Sequence, residues 1–245
     1  SPGTTTTTAY DPSANSSPAY SAVEEAALAG RLWQNTLKTV AVTADGDPVR
    51  VFTDKNGNDW IAPSDAARPT LKIESGIYSL LFDGVNDRLE LSGLAALGTS
   101  ITAAVAIKPA STGRGDPLTR WLDGNAVSDV FNLLMGVTSG KPQLYVRATG
   151  QQNSGVGSTT ISAGQLARLV GTAGGGTAAV YLDNVSQSSA SIGTLNNGAQ
   201  VLCLGGNYFT DGYFFGRIQS FAVFPSVLDS TARGNLNTWL TAAQT

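Results

Sequence analysis

From residue 71 onward the chain is cut by turn signals roughly every 8–12 residues, and between them run short segments in which apolar and polar side chains alternate. Segments of this kind lie at 77–81, 88–91, 101–107, 118–122, 131–137, 142–148, 167–173, 177–184 and 200–204. Breaks such as Phe82-Asp83-Gly84, Pro109, Asp123-Gly124-Asn125 and Gly174-Gly175-Gly176 separate them, because Gly, Asn and Asp accept turn conformations and Pro removes a ladder donor. A pattern of many short strands with no helical period between them excludes bundles and βα repeats. It predicts an all-β fold, a two-layer antiparallel jelly-roll sandwich, over residues 71–245. Segments 79–84 and 88–92, 131–137 and 142–148, and 167–173 and 177–184 are expected to pair as hairpins.

The closing stretch, YFFGRIQSFAVFPSVLDSTARGNLNTWL at 213–240, organises the rest. Alternation over 215–224 sets Phe215, Arg217 and Gln219 on one face and Ile218, Ser220, Ala222 and Phe224 on the other, as in a strand deep in a sandwich. Pro225 stops the ladder. Asp229 or Ser230 then caps a terminal helix with Leu236, Trp239 and Leu240 on one stripe.

Upstream, residues 1–21 (SPGTTTTTAYDPSANSSPAYS) are almost free of aliphatic side chains and cannot offset their ordering entropy by burial among themselves. They read as a linker or as an arm lying on a neighbour, with Tyr10 and Tyr20 as its anchors for an assembly contact. Residues 22–70 are expected to supply a short N-terminal helix (23–38), one strand near Val49–Phe52, and loops packing on the sandwich.

Composition narrows the chemistry. Charged residues are 13% of the chain, about half the usual share, and the net charge of −3 offers no positive field for nucleic acid. No run reaches the roughly 20 apolar residues a membrane span requires. Histidine is absent, which removes imidazole catalysis and histidine metal sites. Cys203, the single cysteine, sits in the apolar run VLCLGG and reads as a buried, inert thiol. Carboxylates are the remaining catalytic option, yet Glu74 and Glu90 are the last two glutamates and most aspartates fall at turns. The protein is therefore expected not to be an enzyme. No cofactor is required; calcium is the one ion the loop carboxylates Asp83, Asp87 and Asp211 suit. The Arg-Gly-Asp triplet at 114–116 reads as a chance loop, and GTAGGG from Gly171 lacks the ending of a phosphate loop.

Glycan binding needs flat aromatics beside amide and carboxylate groups. Tyr208, Phe209 and Tyr213 cluster with Asn207 and Asp211 around one Gly/Asp loop, while Trp121 and Asn125 flank the 123–125 turn; these seven are the candidate glycan-binding residues. Tyr145 and Arg147 lie on a nearby hairpin.

LFDGVNDRLELS at 81–92, ITAAVAIKP at 101–109, VYLDNVS at 180–186 and the run from LGG at 204–206 through the closing strand and helix resemble the concanavalin A-like lectin/glucanase fold, in its laminin-G-like and pentraxin-like branch. Where that branch carries a Tyr-x-Asp-Gly turn, Asn184 stands in for the Gly. ADGDPVRVFTDKNGNDWIAPSDAARPTLK at 44–72 is similar to the region preceding such domains in phage and prophage structural proteins, although Asn56 and Asp59-Trp60 depart from that pattern. The resemblance spans residues 32–240. It implies sugar or protein binding at rim loops or on the concave sheet, sometimes with calcium, and the Glu-x-Asp-x-x-Glu strand of the glucanases is missing. The expectation is a non-enzymatic decoration or fibre-associated protein at a virion surface, contacting other virion proteins or its own copies and cell-surface polysaccharide. The alternative is a secreted carbohydrate-binding or adhesin module; a hydrolase or lyase comes last.

Overall fold

The computed structural model describes residues 10–120, 130–135, 140–148, 151–196, 201–207 and 212–242. Among these residues the chain forms two antiparallel sheets packed face to face, with two α-helices. The first elements are β1 (Ala19–Ala22), α1 (Val23–Leu28), β2 (Leu32–Trp33), β3 (Val51–Thr53), β4 (Asp59–Ile61), β5 (Thr70–Glu74), β6 (Ile77–Asp83), β7 (Leu89–Leu91) and β8 (Ile101–Pro109). They continue with β9 (Gly115–Arg120), β10 (Phe131–Met135), β11 (Pro142–Arg147), β12 (Gln151–Asn153), β13 (Ala167–Gly174), β14 (Thr177–Leu182) and β15 (Val185–Ser191). β16 (Leu202–Leu204), β17 (Phe215–Phe224) and α2 (Ser230–Ala242) complete the order. One sheet runs β15-β14-β13-β8-β17-β6-β5 with β1 added on β17; the other runs β12-β11-β10-β9-β16-β7-β4-β3-β2.

The main core lies between the sheets. Phe52 and Trp60 reach across to Phe221, with ring centroids 5.8 and 4.8 Å apart. Phe82 meets Phe214 in the same layer, and Gly205 is glycine because a Cβ there would stand 2.1 Å from the Phe82 ring, on a backbone with φ +83°. A second, smaller core covers the outside of the first sheet: Leu236 and Leu240 of α2 lie in it with Tyr20, Ala104, Ala106, Val170, Ala222 and Phe224. Asp229 caps α2 by accepting from the Ala232 N–H at 2.8 Å, and Asn184 holds the left-handed turn of the β14–β15 hairpin at φ 64°. The β10–β11 and β13–β14 hairpins pair as the turn spacing predicts. Among the described residues no helix is long and apolar enough to cross a membrane.

Several elements differ from the sequence reading. The helix expected over 23–38 stops at Leu28, because Gly30 turns left-handed (φ +65°) and Leu32 enters a strand. Residues 22–70, expected to pack on the sandwich, supply three strands of the second sheet themselves. Segments 79–84 and 88–92 do not pair: β6 joins β5 and β17, whereas β7 joins β4 and β16. The turn between them is a corner, in which Asp83 Oδ1 accepts from the N–H groups of Val85, Asn86 and Asp87. In β17 a bulge between Ile218 and Ser220 shifts the alternation, so Ile218 faces the main core with Phe221 and Val223, while Ala222 and Phe224 face the second core.

The largest correction concerns residues 10–21. They pack on the chain's own sandwich rather than forming a free linker, while residues 1–9 of the expected arm lie outside the described residues. Tyr20 sits in β1, paired with Ala222 of β17, and packs edge-on against Trp239 at 6.2 Å; Tyr10 borders the same second core and accepts a hydrogen bond from Asn15 Nδ2. The sequence Asp54-Lys55-Asn56-Gly57-Asn58 fastens this segment. Asn56 Nδ2 and Asn58 Nδ2 donate to the carbonyls of Ser17 and Pro18, and Lys55 N–H to that of Tyr20. Both tyrosines named as anchors pack on their own sandwich.

Candidate functional site

Period-two geometry places one row of side chains on the outer face of the second sheet. Tyr145 stands opposite Asn132, Asn132 opposite Thr119, Thr119 opposite Cys203, Cys203 opposite Glu90, and Glu90 opposite Ile61. Cys203 in this row is fully buried and its thiol is pushed up to about 12 by that burial, so it is inert as expected.

Two polar clusters occupy the row. In the first, Arg88 Nε donates to Glu90 Oε1 at 2.6 Å and Arg88 Nη1 to the Tyr213 hydroxyl at 2.9 Å. Burial pulls the Arg88 guanidinium down, but its contacts with Glu90 outweigh this and hold it above its ordinary value. The Tyr213 ring lies over Gly206, where a Cβ would approach it to 3.0 Å. Glu90 also lines a groove of about 260 Å³ with Arg50, Asp59, Ile61, Ala62, Pro63 and Ser92. Asp59 there accepts from Lys38 Nζ and Thr53 Oγ1, each at 2.7 Å.

The second cluster is deeper. β9 carries one extra residue between Gly115 and Leu118, opposite the Leu133–Met135 shift of β10, and this bulge turns Asp116 away from the core towards Asn132. Asp116 is fully buried; Asn207 Nδ2 donates to its Oδ2 at 2.6 Å and Arg114 Nη2 at 3.2 Å. Burial raises the Asp116 carboxyl, against the pull of Arg114, Asn132 and Asn207. Its backbone N–H bonds to the Gly212 carbonyl, and a Cβ on Gly212 would lie 1.9 Å from Asp116 Oδ2, so only glycine fits. With Asp116 buried, the Arg-Gly-Asp triplet cannot be read at a loop tip.

Of the sequence candidates, Asn207 and Tyr213 are brought to this face; Trp121, Asn125, Tyr208, Phe209 and Asp211 lie outside the described residues. Arg88, Glu90, Arg114, Asp116 and Asn132 were not among the candidates. The available signal was a polar residue inside an otherwise apolar strand, Asn132 in FNLLM. Among the described residues no three His, Cys, Asp or Glu side chains come together as a metal site. Asp83 and Asp87, named as calcium ligands with Asp211, build the corner before β7: Asp83 Oδ1 takes three backbone donors, and Asp87 Oδ2 accepts from the Asp83 N–H.

Asp87 carries a testable pH dependence. Burial, then the charge of Asp83, lifts it from 3.8 to about 7 in the folded protein. Below pH 4 both states hold the proton and the fold has its full stability; as pH rises to about 7 the unfolded chain ionises first, and stability is lost. Asp87→Asn is expected to match the parent protein near pH 4 and to exceed it by about 2 kcal/mol at pH 8, given about 1.4 kcal/mol per pKa unit and screening of the exposed Asp83. Urea unfolding at the two pH values measures this.

A family model described as the concanavalin A-like lectin/glucanases superfamily matches residues 83–232. The chain belongs to this superfamily. Among solved structures it is similar to domain 4 of AbnA, a GH43 extracellular arabinanase from Geobacillus stearothermophilus, in complex with arabinotriose, with TM-score 0.63 at 13% identity over 89% of this chain and 97% of that one. It is also similar to a heptameric SAP-like pentraxin from Limulus polyphemus, with TM-score 0.52 at 19% identity over 68% and 81% of the two chains. The ligand-binding domain of botulinum neurotoxin serotype D in complex with N-acetylneuraminic acid gives TM-score 0.56 at 11% identity, covering 76% of this chain and 48% of that one. No curated protein sequence matches. At these identities the likeness is one of fold.

Proposed function

We propose that the protein binds glycan chains without cleaving them, along the outer face of the second sheet, through Tyr213, Arg88 and Glu90. The observation that carries this is the hydrogen-bonded line Glu90–Arg88–Tyr213, whose Glu90 lines the 260 Å³ groove. It sets an aromatic edge and fixed planar polar groups side by side, the combination that grips a sugar ring and its hydroxyls. The groove's carboxylates are each matched by a cation, Glu90 by Arg88 and Asp59 by Lys38, which favours a neutral sugar. Both are engaged as acceptors, a posture suited to holding hydroxyls; a glycosidase needs a facing pair in which one carboxyl keeps its proton. The arabinotriose bound to the similar arabinanase domain makes arabino-oligosaccharides the first ligands to try.

The setting we propose is the surface of a phage-like particle, in contact with other virion proteins or further copies of the chain, and it rests on the resemblance of residues 44–72. Proteomics of purified particles tests it: detection in stoichiometric amount supports it, and presence only in the culture supernatant replaces it with a secreted module.

For the glycan reading, titration calorimetry with neutral oligosaccharides, arabinotriose first, is the test. Binding is expected in the micromolar to millimolar range without release of reducing ends, and Tyr213→Ala and Glu90→Gln are each expected to weaken it about tenfold or more while still unfolding cooperatively. Equal affinity in both variants overturns the site, and cleavage of the sugar overturns the non-catalytic reading.

A further inference from the structure

The groove beside Glu90 contains one cation that its own acids leave unanswered. Arg50 lines it, and the Arg50 carbonyl accepts from the Ala62 N–H at 3.0 Å, which seats the residue next to Ile61 and Pro63. Arg50 Nη1 is buried without a hydrogen-bond acceptor. The carboxylate near it, Asp65 Oδ1, stands 3.9 Å away on a side chain that is 80% exposed, and it also faces Arg68 at 3.7 Å. The other two cations have close partners, Arg88 in Glu90 and Lys38 in Asp59. Those carboxylates are engaged through one oxygen each: Glu90 Oε1 takes Arg88 Nε, while Asp59 Oδ1 takes Lys38 Nζ and Thr53 Oγ1. Between them the groove is apolar. Ile61, opposite Glu90 in the ladder, is 38% exposed, and Pro63 is exposed beside it.

We propose that Arg50 selects a sugar bearing an acetamido group, so that the glycan bound at this site contains N-acetylated amino sugars. The inference rests on the glycan reading and narrows it to a substrate class. An acetamido group answers the three features of the groove together. Its carbonyl accepts from the Arg50 fork, its N–H donates to Glu90 Oε2 or Asp59 Oδ2, and its methyl covers Ile61 and Pro63. A plain hydroxyl would answer Arg50 but leave the apolar wall in water. A sugar carboxylate would pair with Arg50, yet it would stand in one groove with Glu90 and Asp59 and put charge against Ile61 and Pro63. Discrimination arises because a ligand without the carbonyl leaves the guanidinium donor unmatched once water is expelled.

The experiment uses the full chain and titration calorimetry with three trisaccharides of one linkage. Chitotriose carries the acetamido group, cellotriose has hydroxyls in its place, and the glucuronate trimer carries carboxylates. The parent protein is expected to bind chitotriose about tenfold more tightly than cellotriose, and Arg50→Met to bring the two within about threefold of each other. Arg50→Lys, which keeps the charge but not the fork, is expected to lose most of the preference as well. Tyr213→Ala is expected to weaken both sugars and keep their ratio. If an Arg50 variant fails to fold, the comparison of the three sugars on the parent protein decides. Equal affinity for chitotriose and cellotriose, tighter binding of the glucuronate trimer, or an undiminished preference in Arg50→Met overturns the inference and leaves the glycan reading standing. Absence of binding by all three sugars and by arabinotriose overturns the glycan reading, and this inference with it.

Discussion

Removing residues 1–22 is expected to destabilise the protein by about 3–5 kcal/mol and to make it associate in a concentration-dependent way. β1 pairs with Ser220–Val223 of β17, in the middle of the first sheet, where β6 has already ended its pairing at Ile218. Without β1 that flank of β17 offers unpaired backbone groups, a template for pairing with another chain. Ser17 Oγ would no longer donate to the Val223 carbonyl, at 2.7 Å in the intact protein. Tyr20 is buried against Trp239, and burial of a side chain of that size is worth about 2–3 kcal/mol. Lost ladder bonds and looser seating of α2 supply the remainder. Urea unfolding and gel filtration at two concentrations test this. A truncated chain as stable and monomeric as the parent would restore the linker reading of the segment.

Asp54→Ala is expected to cost about 3–5 kcal/mol, with a smaller loss for Asp54→Asn. Asp54 is 1% exposed, and its oxygens accept from the Asn56 and Asn58 N–H groups, from Asn58 Nδ2 and from Trp60 Nε1. Alanine leaves these buried donors unmatched. It also frees Asn58 and Asn56, whose amides hold Ser17 and Pro18, so the effect spreads to β1. Asparagine preserves Oδ1 for the backbone donors but sets an amide NH2 against Trp60 Nε1. Burial raises the Asp54 carboxyl despite its hydrogen bonds, so a neutral replacement avoids one cost even as it loses acceptors. The check is the urea midpoint of each variant. An alanine variant within 1 kcal/mol of the parent would show that the turn does not clamp the N-terminal segment.

The candidate site was legible only where it is local. Tyr213 and Asn207 stand out because aromatics and amides crowd a glycine-rich turn. Their partners do not: Arg88 is 125 positions from Tyr213 and Asp116 is 91 from Asn207. Asp116 in particular reads as part of a loop motif, and the bulge that turns it towards Asn132 leaves no mark on the sequence beyond a misplaced polar residue.

Local rules determined much of the rest. Alternation and turn chemistry specify the strands, the β10–β11 and β13–β14 hairpins, the left-handed Asn184 and the capped helix after Pro225, because each depends on residues within a few positions of one another. Tertiary structure alone decided which sheet each strand joins. β6 and β7 are separated by a tight turn yet go to different sheets, and the Gln219 bulge reverses a face that strict alternation assigns otherwise. It also decided the fate of residues 10–21, whose composition cannot support a fold by itself. They are ordered because β17 offers an open flank and the 54–58 turn offers donors, and neither surface exists until the sandwich has formed.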